Sequence, residues 1–297
     1  KHGQVTMVDG NSHQRYGQRT ALCPLNVTLQ VHDPRFYSDI AFGGSIGAGE
    51  AWMQGYWSVN DLTALVRILL QNREVLDGME TGLARLTAPL QKALHWLNRN
   101  TRDGSRRNIA AHYDLGNDFF ALFLDPTMMY SSAIFAQPHM TLETAQRARL
   151  DHICRKLDLT PRDHLLEIGT GWGGMAIHAA QHYGCRVTTT TISQEQFNLA
   201  SERVRAVGLE DRVSVLLKDY RDLDGRYDKL VSIEMIEAVG HDFYDTYFGK
   251  CATLLKDDGL MLLQAITIAD QRYDAARKSV DFIQRYIFPG SCIPSVT

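Results

Sequence analysis

Read for its alternation of apolar and polar positions, the chain falls into two parts of different rhythm. Up to about residue 57, glycines separate short alternating runs. Two of these, Val5-Thr6-Met7-Val8 and Asn26-Val27-Thr28-Leu29-Gln30-Val31, have the period of two that predicts half-buried strands. From Asp61 the period changes, and Leu62, Leu65, Val66 and Leu69 predict an amphipathic helix. A second helix is predicted from about Ala88 to Leu97. The polar, basic stretch Arg99–Asn108 has no period and reads as a linker. Beyond residue 145, strand-like runs near 163–168, 185–192, 212–217, 228–234 and 259–267 alternate with helical patterns near 173–183, 193–207 and 242–255. This βαβ alternation predicts a parallel sheet with helices on both faces and ligands at the carboxyl ends of its strands. Thr191, Asp219 and Glu234–Glu237 would lie along that edge.

The first of these strands leads into His164-Leu165-Leu166-Glu167-Ile168-Gly169-Thr170-Gly171-Trp172-Gly173-Gly174-Met175-Ala176. A short apolar run ends in an acid, glycines follow, and a helical pattern begins. Without Cβ atoms the backbone can approach a bound molecule closely. A pyrophosphate-binding turn disfavours an acid such as Glu167, whereas a cationic, adenosine-containing ligand tolerates one. S-adenosylmethionine is such a ligand, so the loop implies a methyltransferase. Gly169, Gly171 and Gly174 also satisfy the loose G-x-G-x-x-G dinucleotide pattern. That reading wants an acid at the end of the next strand, and Cys185–Ile192 ends without one. No Lys-Ser or Lys-Thr follows the glycines, which excludes a Walker loop.

Composition narrows the class. The chain has 297 residues, of which 44% are hydrophobic and 22% charged, as expected of a globular protein of one or two domains. A net charge of −3 argues against a general nucleic-acid binder. Cys23, Cys154, Cys185, Cys251 and Cys292 are scattered, form no C-x-x-C pair and read as reduced thiols of a cytoplasmic protein. No apolar run is long enough to span a bilayer. His178 and His182 stand four apart on a predicted helix, but no H-E-x-x-H acid accompanies them, so no metal site is expected.

Four further stretches join the glycine loop in order: His112–Phe120, Tyr130-Ser131-Ser132-Ala133-Ile134-Phe135, Thr191-Ile192-Ser193-Gln194-Glu195-Gln196 and Glu234-Met235-Ile236-Glu237-Ala238-Val239-Gly240. Together they resemble the cyclopropane-fatty-acyl-phospholipid synthases and mycolic acid cyclopropane synthases. Gly44–Glu50 through Tyr56-Trp57 resembles the N-terminal domain of the phospholipid enzymes. The resemblance implies an α/β fold: a Rossmann-like class I methyltransferase domain over 111–297, a basic linker over 99–110, and a smaller α+β lipid-interacting domain over 1–98. Five strands fall short of the sheet such a domain usually closes, so a truncated C-terminus is expected.

The resemblance also implies the chemistry. The family adds a methyl group from S-adenosylmethionine to a cis double bond of a lipid acyl chain, and proton loss then closes a cyclopropane. A bound bicarbonate takes the proton, held by a cysteine, a glutamate, a histidine and a tyrosine. Here Glu237 matches the glutamate, Ser132 stands at the cysteine position and Gln264 at the histidine position, while the tyrosine would lie beyond Thr297. Gln264 can neither carry charge nor accept a proton, so ring closure is the step most open to change. For the cofactor, Tyr130 and Ser131 match residues around the methionine end. Glu167, Gly169 and Gly171 line it, Thr191, Ile192 and Gln196 match residues around ribose and adenine, and Tyr220 and Ile233 complete the set. The partner implied is a phospholipid membrane surface, met peripherally at its inner face, with a homodimer left open; the linker arginines Arg99, Arg102, Arg106 and Arg107 read either as contacts to its headgroups or as a solvated loop. Rival readings are a methyltransferase that makes a methyl-branched or methylene lipid without a ring, and a lipid-binding pseudoenzyme. Plant alkaloid N-methyltransferases share parts of the motifs, but the N-terminal domain argues against a small amine substrate.

Overall fold

The computed structural model describes residues 1–79, 89, 100–101, 104–105 and 116–297. The helix expected over Ala88–Leu97 (apart from Pro89), the four arginines of the basic stretch and His112–Leu115 lie outside these residues. The chain forms two units, Lys1–Leu97 with Lys278–Tyr286 and Asn98–Arg277 with Ile287–Thr297. Lys278–Tyr286, which the sequence pattern groups with the second domain, thus belongs to the first unit.

In the first unit, β1 (Gly3–Asp9) pairs antiparallel with β2 (Ser12–Gln18) and parallel with β3 (Asn26–Val31), which pairs antiparallel with β4 (Trp57–Val59). Val27, Leu29 and Val31 alternate inward as their period predicts. They pack with Phe36, Trp57, Leu65 and Ile68. β2 is exposed along its whole length, so it carries no apolar alternation to read. The helix Arg35–Met53 also escapes the sequence pattern, because Gly44 (φ 58°, ψ −136°) interrupts it and breaks the helical period. The helix Leu62–Gln71 forms where expected, with the Asp61 carboxylate accepting from the Ala64 N–H at 2.8 Å. Its buried face is Ala64, Leu65 and Ile68, whereas Leu62 and Val66 are exposed.

The second unit carries five parallel strands in the order β7-β6-β5-β8-β9, formed by β5 (His164–Ile168), β6 (Arg186–Thr191), β7 (Val213–Leu217), β8 (Tyr227–Ile233) and β9 (Leu255–Gln264). The chain runs outward from β5 through β6 to β7, then returns to the other side of β5 for β8 and β9. The strand order therefore reverses at β5, which places the glycine loop at the switch point where α/β sheets bind ligands. Leu165 packs with Leu150, Met175, Val187 and Val204 on one face. Leu166 and Ile168 pack with Leu230, Tyr247 and Leu254 on the other. Helices Leu142–Lys156, Gly174–Tyr183 and Gln194–Ala206 supply the first face and Tyr244–Leu254 the second. Leu142–Lys156 was not legible as a helix in the sequence. Its inward positions include Gln146 and Arg149, both buried, which interrupt the apolar stripe. All five cysteines are unpaired and buried. Among the described residues no helix is long and apolar enough to cross a membrane.

Leu165 and Leu166 are each fully buried, on opposite faces of the central strand. Leu165→Ala and Leu166→Ala are each expected to cost about 2–5 kcal/mol, because both faces are packed and neither can collapse around the lost atoms. Urea unfolding of the two variants checks this, and a loss well under 1 kcal/mol from either would mean that its face is loosely packed.

Candidate active site

The carboxyl edge of the sheet is built first from β5. Side chains alternate along a strand, so Glu167 shares the face of Leu165 but lies at the carboxyl end, where the glycine loop begins. Its side chain is buried; Oε2 accepts a 2.6 Å hydrogen bond from Thr189 Oγ1, and Thr170 Oγ1 stands 2.7 Å from the same hydroxyl. Burial pushes the Glu167 carboxyl up to about 8, with the Thr189 bond and Arg149 opposing. At Gly171 (φ 51°) a Cβ would meet no atom within 4 Å, so the backbone there borders open space. The loop's geometry thus fits an adenosine-containing ligand against bare backbone, with a carboxyl group behind it.

The remaining cofactor candidates gather along the same edge. At the end of β6, Thr191 Oγ1 donates to Gln196 Oε1 at 2.7 Å and accepts from the Ser193 N–H at 3.1 Å. Ser193 in turn caps the helix that bears Gln196. Ile192 is half-buried beside them. Past β7, Asp219 is bound by Arg221 through Nε and Nη2 at 2.8 and 2.7 Å, and Tyr220 lies half-buried, edge-on to Tyr247 at 5.3 Å. Ile233, the last residue of β8, is half-buried. Tyr130 is exposed and sits 5.1 Å from the Phe120 ring and 6.5 Å from Trp172, with Trp172 Nε1 donating to Asn117 at 2.7 Å. Phe119, Phe120 and Phe123 extend this aromatic group.

Among the described residues no hydrogen bond joins Glu237 to Ser132 or Gln264, the other two residues expected to handle the proton. Ser132 and Gln264 do meet, but on Glu234, a residue to which the sequence pattern assigned no role. Glu234 Oε1 accepts from the Ser132 N–H at 3.0 Å, from Ser132 Oγ at 3.0 Å and from Gln264 Nε2 at 2.8 Å. Gln264 Oε1 accepts from Arg149 Nη1 at 3.1 Å, and Arg149 Nε donates to Gln146 Oε1 at 3.1 Å. Gln146 Nε2 then reaches back to the carbonyls of Ser131 and Met129, at 2.7 and 3.2 Å. Glu237 stands on the next turn. Its Oε1 accepts from the Ile266 N–H, and its Oε2 is buried without a partner among the described residues. Burial holds the Glu237 carboxyl above the usual carboxylate range, and the neighbouring charge of Glu234 adds to this.

Comparison with known proteins agrees with this geometry. The sequence profile of the mycolic acid cyclopropane synthetase family matches residues 100–297. The chain is 42% identical over 291 residues to the tuberculostearic acid methyltransferase UfaA1 of Mycobacterium tuberculosis, covering 92% of this chain and 65% of that protein. It is 39% identical over 276 residues to the cyclopropane-fatty-acyl-phospholipid synthase of Escherichia coli (strain K12), covering 90% of this chain and 67% of that protein. The chain belongs to the mycolic acid cyclopropane synthetase family. This is a family of S-adenosylmethionine-dependent methyltransferases, as the resemblance implied. The chain thus spans about two thirds of the length of these relatives. A solved structure of the mycolic acid cyclopropane synthase CmaA1, complexed with SAH and CTAB, superposes with a TM-score of 0.60 at 38% identity, over 64% of this chain and 70% of that one. A coclaurine N-methyltransferase structure, at 22% identity and a TM-score of 0.52, covers 69% of this chain and 66% of that one and shares the fold alone.

Two features lie outside this set. A cavity of about 320 Å³ is lined by Thr127, Gly174, His178, His182 and Arg203 and by none of the expected cofactor residues. Arg149, 1% exposed, is the cation that the sequence reading missed; its Nη2 has no partner among the described residues, and burial draws its guanidinium down to about 10. In the sequence Arg149 gives no sign of burial until its partners are placed.

The elevated carboxyl of Glu167 has a sign that can be tested. Its folded value of about 8 lies above its ordinary 4.5, so the folded protein binds this proton more tightly than the unfolded chain does. Stability is therefore lost as pH rises from near 4.5 through about 8. Glu167→Gln removes that loss, so the ligand-free variant should melt above the wild-type protein at pH 8, with the difference closing towards pH 4.5. Equal melting temperatures across this range would show that Glu167 is not desolvated in solution.

Proposed function

We propose that the protein transfers a methyl group from S-adenosylmethionine to a cis double bond in an acyl chain of a phospholipid, working at the membrane surface. The observation that carries this reading is the carboxyl edge itself: a glycine loop bordering open space, with a buried acid, beside a pair of acids, Glu234 and Glu237, in the turn that follows β8. S-adenosylmethionine supplies an electrophilic methyl group on a sulfonium. The residues of this chain hold and orient it: Gly169 and Gly171 by backbone approach, Thr191, Ile192, Gln196 and Tyr220 around the nucleoside, Ile233 beside them, and Tyr130 and Ser131 at the methionine end. An alkene is a weak nucleophile, so alignment contributes much of the rate. Positive charge then develops on the acyl chain. Glu237, with one oxygen fixed by the Ile266 N–H and the other unpaired, is placed to stabilise that charge.

A cyclopropane is the product that the family resemblance implies. The ring-free alternative, a methyl-branched or methylene lipid, is supported by two observations. One relative at 42% identity is named for tuberculostearic acid rather than for a cyclopropane, and Gln264 replaces a histidine beside Ser132. In the family the base is a bicarbonate. Here the donors of Ser132 and Gln264 are bonded to Glu234, so bicarbonate has no place in this reading.

The test incubates the protein with methyl-labelled S-adenosylmethionine and vesicles of unsaturated phospholipid, then examines the lipids. Label in the acyl chains is expected, and upfield ring-methylene proton signals separate a cyclopropane from an isomer of equal mass. No label in lipid, with cofactor bound normally in a calorimetric titration, would favour a lipid-binding protein without catalysis.

Two substitutions locate the roles. Gly171→Val places branched carbon in the space beside the loop and forces a strained φ, so calorimetry should detect no cofactor binding. Glu237→Gln should reduce turnover by about 10²-fold while leaving cofactor affinity near the wild-type value, because it removes charge where the transition state is positive. Normal turnover in Glu237→Gln would remove this residue from the mechanism.

A further inference from the structure

Glu234 has a backbone conformation that needs a reason. Among the described residues it is one of three non-glycine residues with positive φ, at 48°, and it directly follows β8. The left-handed region costs a residue with a Cβ about 1–2 kcal/mol, and such strain gathers at functional sites. Here the turn swings the carboxylate across the end of β9, while the Glu234 N–H still bonds the Gln264 carbonyl at 2.8 Å.

The carboxylate is held unevenly. All three of its donors converge on Oε1, and Oε2 carries no bond among the described residues. The donors are themselves oriented. Arg149 Nη1 occupies the Gln264 oxygen, so the Gln264 amide nitrogen must face Glu234. Gln146 fixes Arg149 and grips the Ser131 carbonyl, so the segment that presents Ser132 is tied at adjacent residues. The result is a carboxylate with one anchored oxygen and one free oxygen, 102 residues from Ser132 and 30 from Gln264 in sequence.

We propose that Glu234 is the proton acceptor of the reaction, an internal carboxylate standing where Ser132 and Gln264 would otherwise hold an anion from solution. The proposal rests on the methyl-transfer reading above. After the new carbon–carbon bond has formed, the acyl chain is a carbocation. Either a C–H bond of the newly added methyl group gives up its electron pair to close a ring, or a C–H bond on a carbon adjacent to the cationic carbon does so to form a double bond. Its proton passes to Oε2 of Glu234, and the neutral acid later releases that proton to water. Such a proton is strongly acidic, so reach matters more than base strength. A structural latch, by contrast, would need only the accepting oxygen, which a glutamine also has.

The full chain is assayed in buffer freed of carbon dioxide, with labelled S-adenosylmethionine and unsaturated phospholipid vesicles. Wild-type turnover should change less than about twofold when bicarbonate is added. Glu234→Gln keeps an acceptor for Ser132 and Gln264 but no base, and should lose about 10²-fold or more in turnover with cofactor affinity unchanged. Glu234→Gly suits the positive φ and removes the carboxylate; added formate or bicarbonate should restore part of its rate. Carbon-13 bicarbonate, followed by NMR line broadening, should bind the glycine variant and not the wild type. A wild type that needs bicarbonate, a fully active Glu234→Gln, or a glycine variant that is active without any added anion overturns the proposal and leaves the methyl-transfer reading standing. A wild type that labels no lipid in either buffer overturns both.

Discussion

The central parallel strand β5 is packed on both faces, and the second unit depends on that constraint. Leu165 and Leu166 are driven into opposite cores, and Val231 and Leu230 of the neighbouring strand β8 repeat the division. A strand closed off on both sides has only its ends available for chemistry. The reversal of strand order at β5 opens one of those ends into a loop, and the glycines keep the space beside Gly171 clear. Glu167 is desolvated because it is the last polar residue before that loop on a face otherwise committed to the core. Its raised carboxyl is a consequence of the packing.

The polar network from Met129 to Glu234 is the second organising element. A buried arginine without a direct carboxylate partner is costly unless its donors are satisfied. Arg149 bonds two glutamine side-chain oxygens, and those glutamines pass the connection to the backbone of Ser131 and the carboxylate of Glu234. Each member fixes the orientation of the next, so the network specifies a geometry as well as filling space. Against this, Arg149 Nη2 is buried without a partner among the described residues, which costs about 1–3 kcal/mol.

Three glutamates at this edge meet three environments. Glu167 is buried behind the glycine loop, Glu237 is half-buried with one unpaired oxygen, and Glu234 is anchored through one oxygen only. Separate surroundings allow identical functional groups to take separate roles. Family membership does not make that division, because the relatives at about 40% identity carry names for different lipid products.

The glycine loop, the alternation of strands and helices beyond residue 145 and the parallel sheet could be read from the sequence, because each is a local or periodic signal. The hydrogen bond of Thr191 to Gln196, five residues apart across a helix start, came only with the structure. Leu142–Lys156 could not be read, since its buried Gln146 and Arg149 interrupt the apolar stripe, and neither could β2, which has no buried face. The family resemblance brought Ser132, Gln264 and Glu237 to notice as one group. Only the fold decided that the first two turn to Glu234, because hydrogen bonds between residues 30 and 102 positions apart leave no trace in local pattern. Sequence placed three glutamates near one edge; their burial and partners, which decide what each can do, exist only once the strands are side by side.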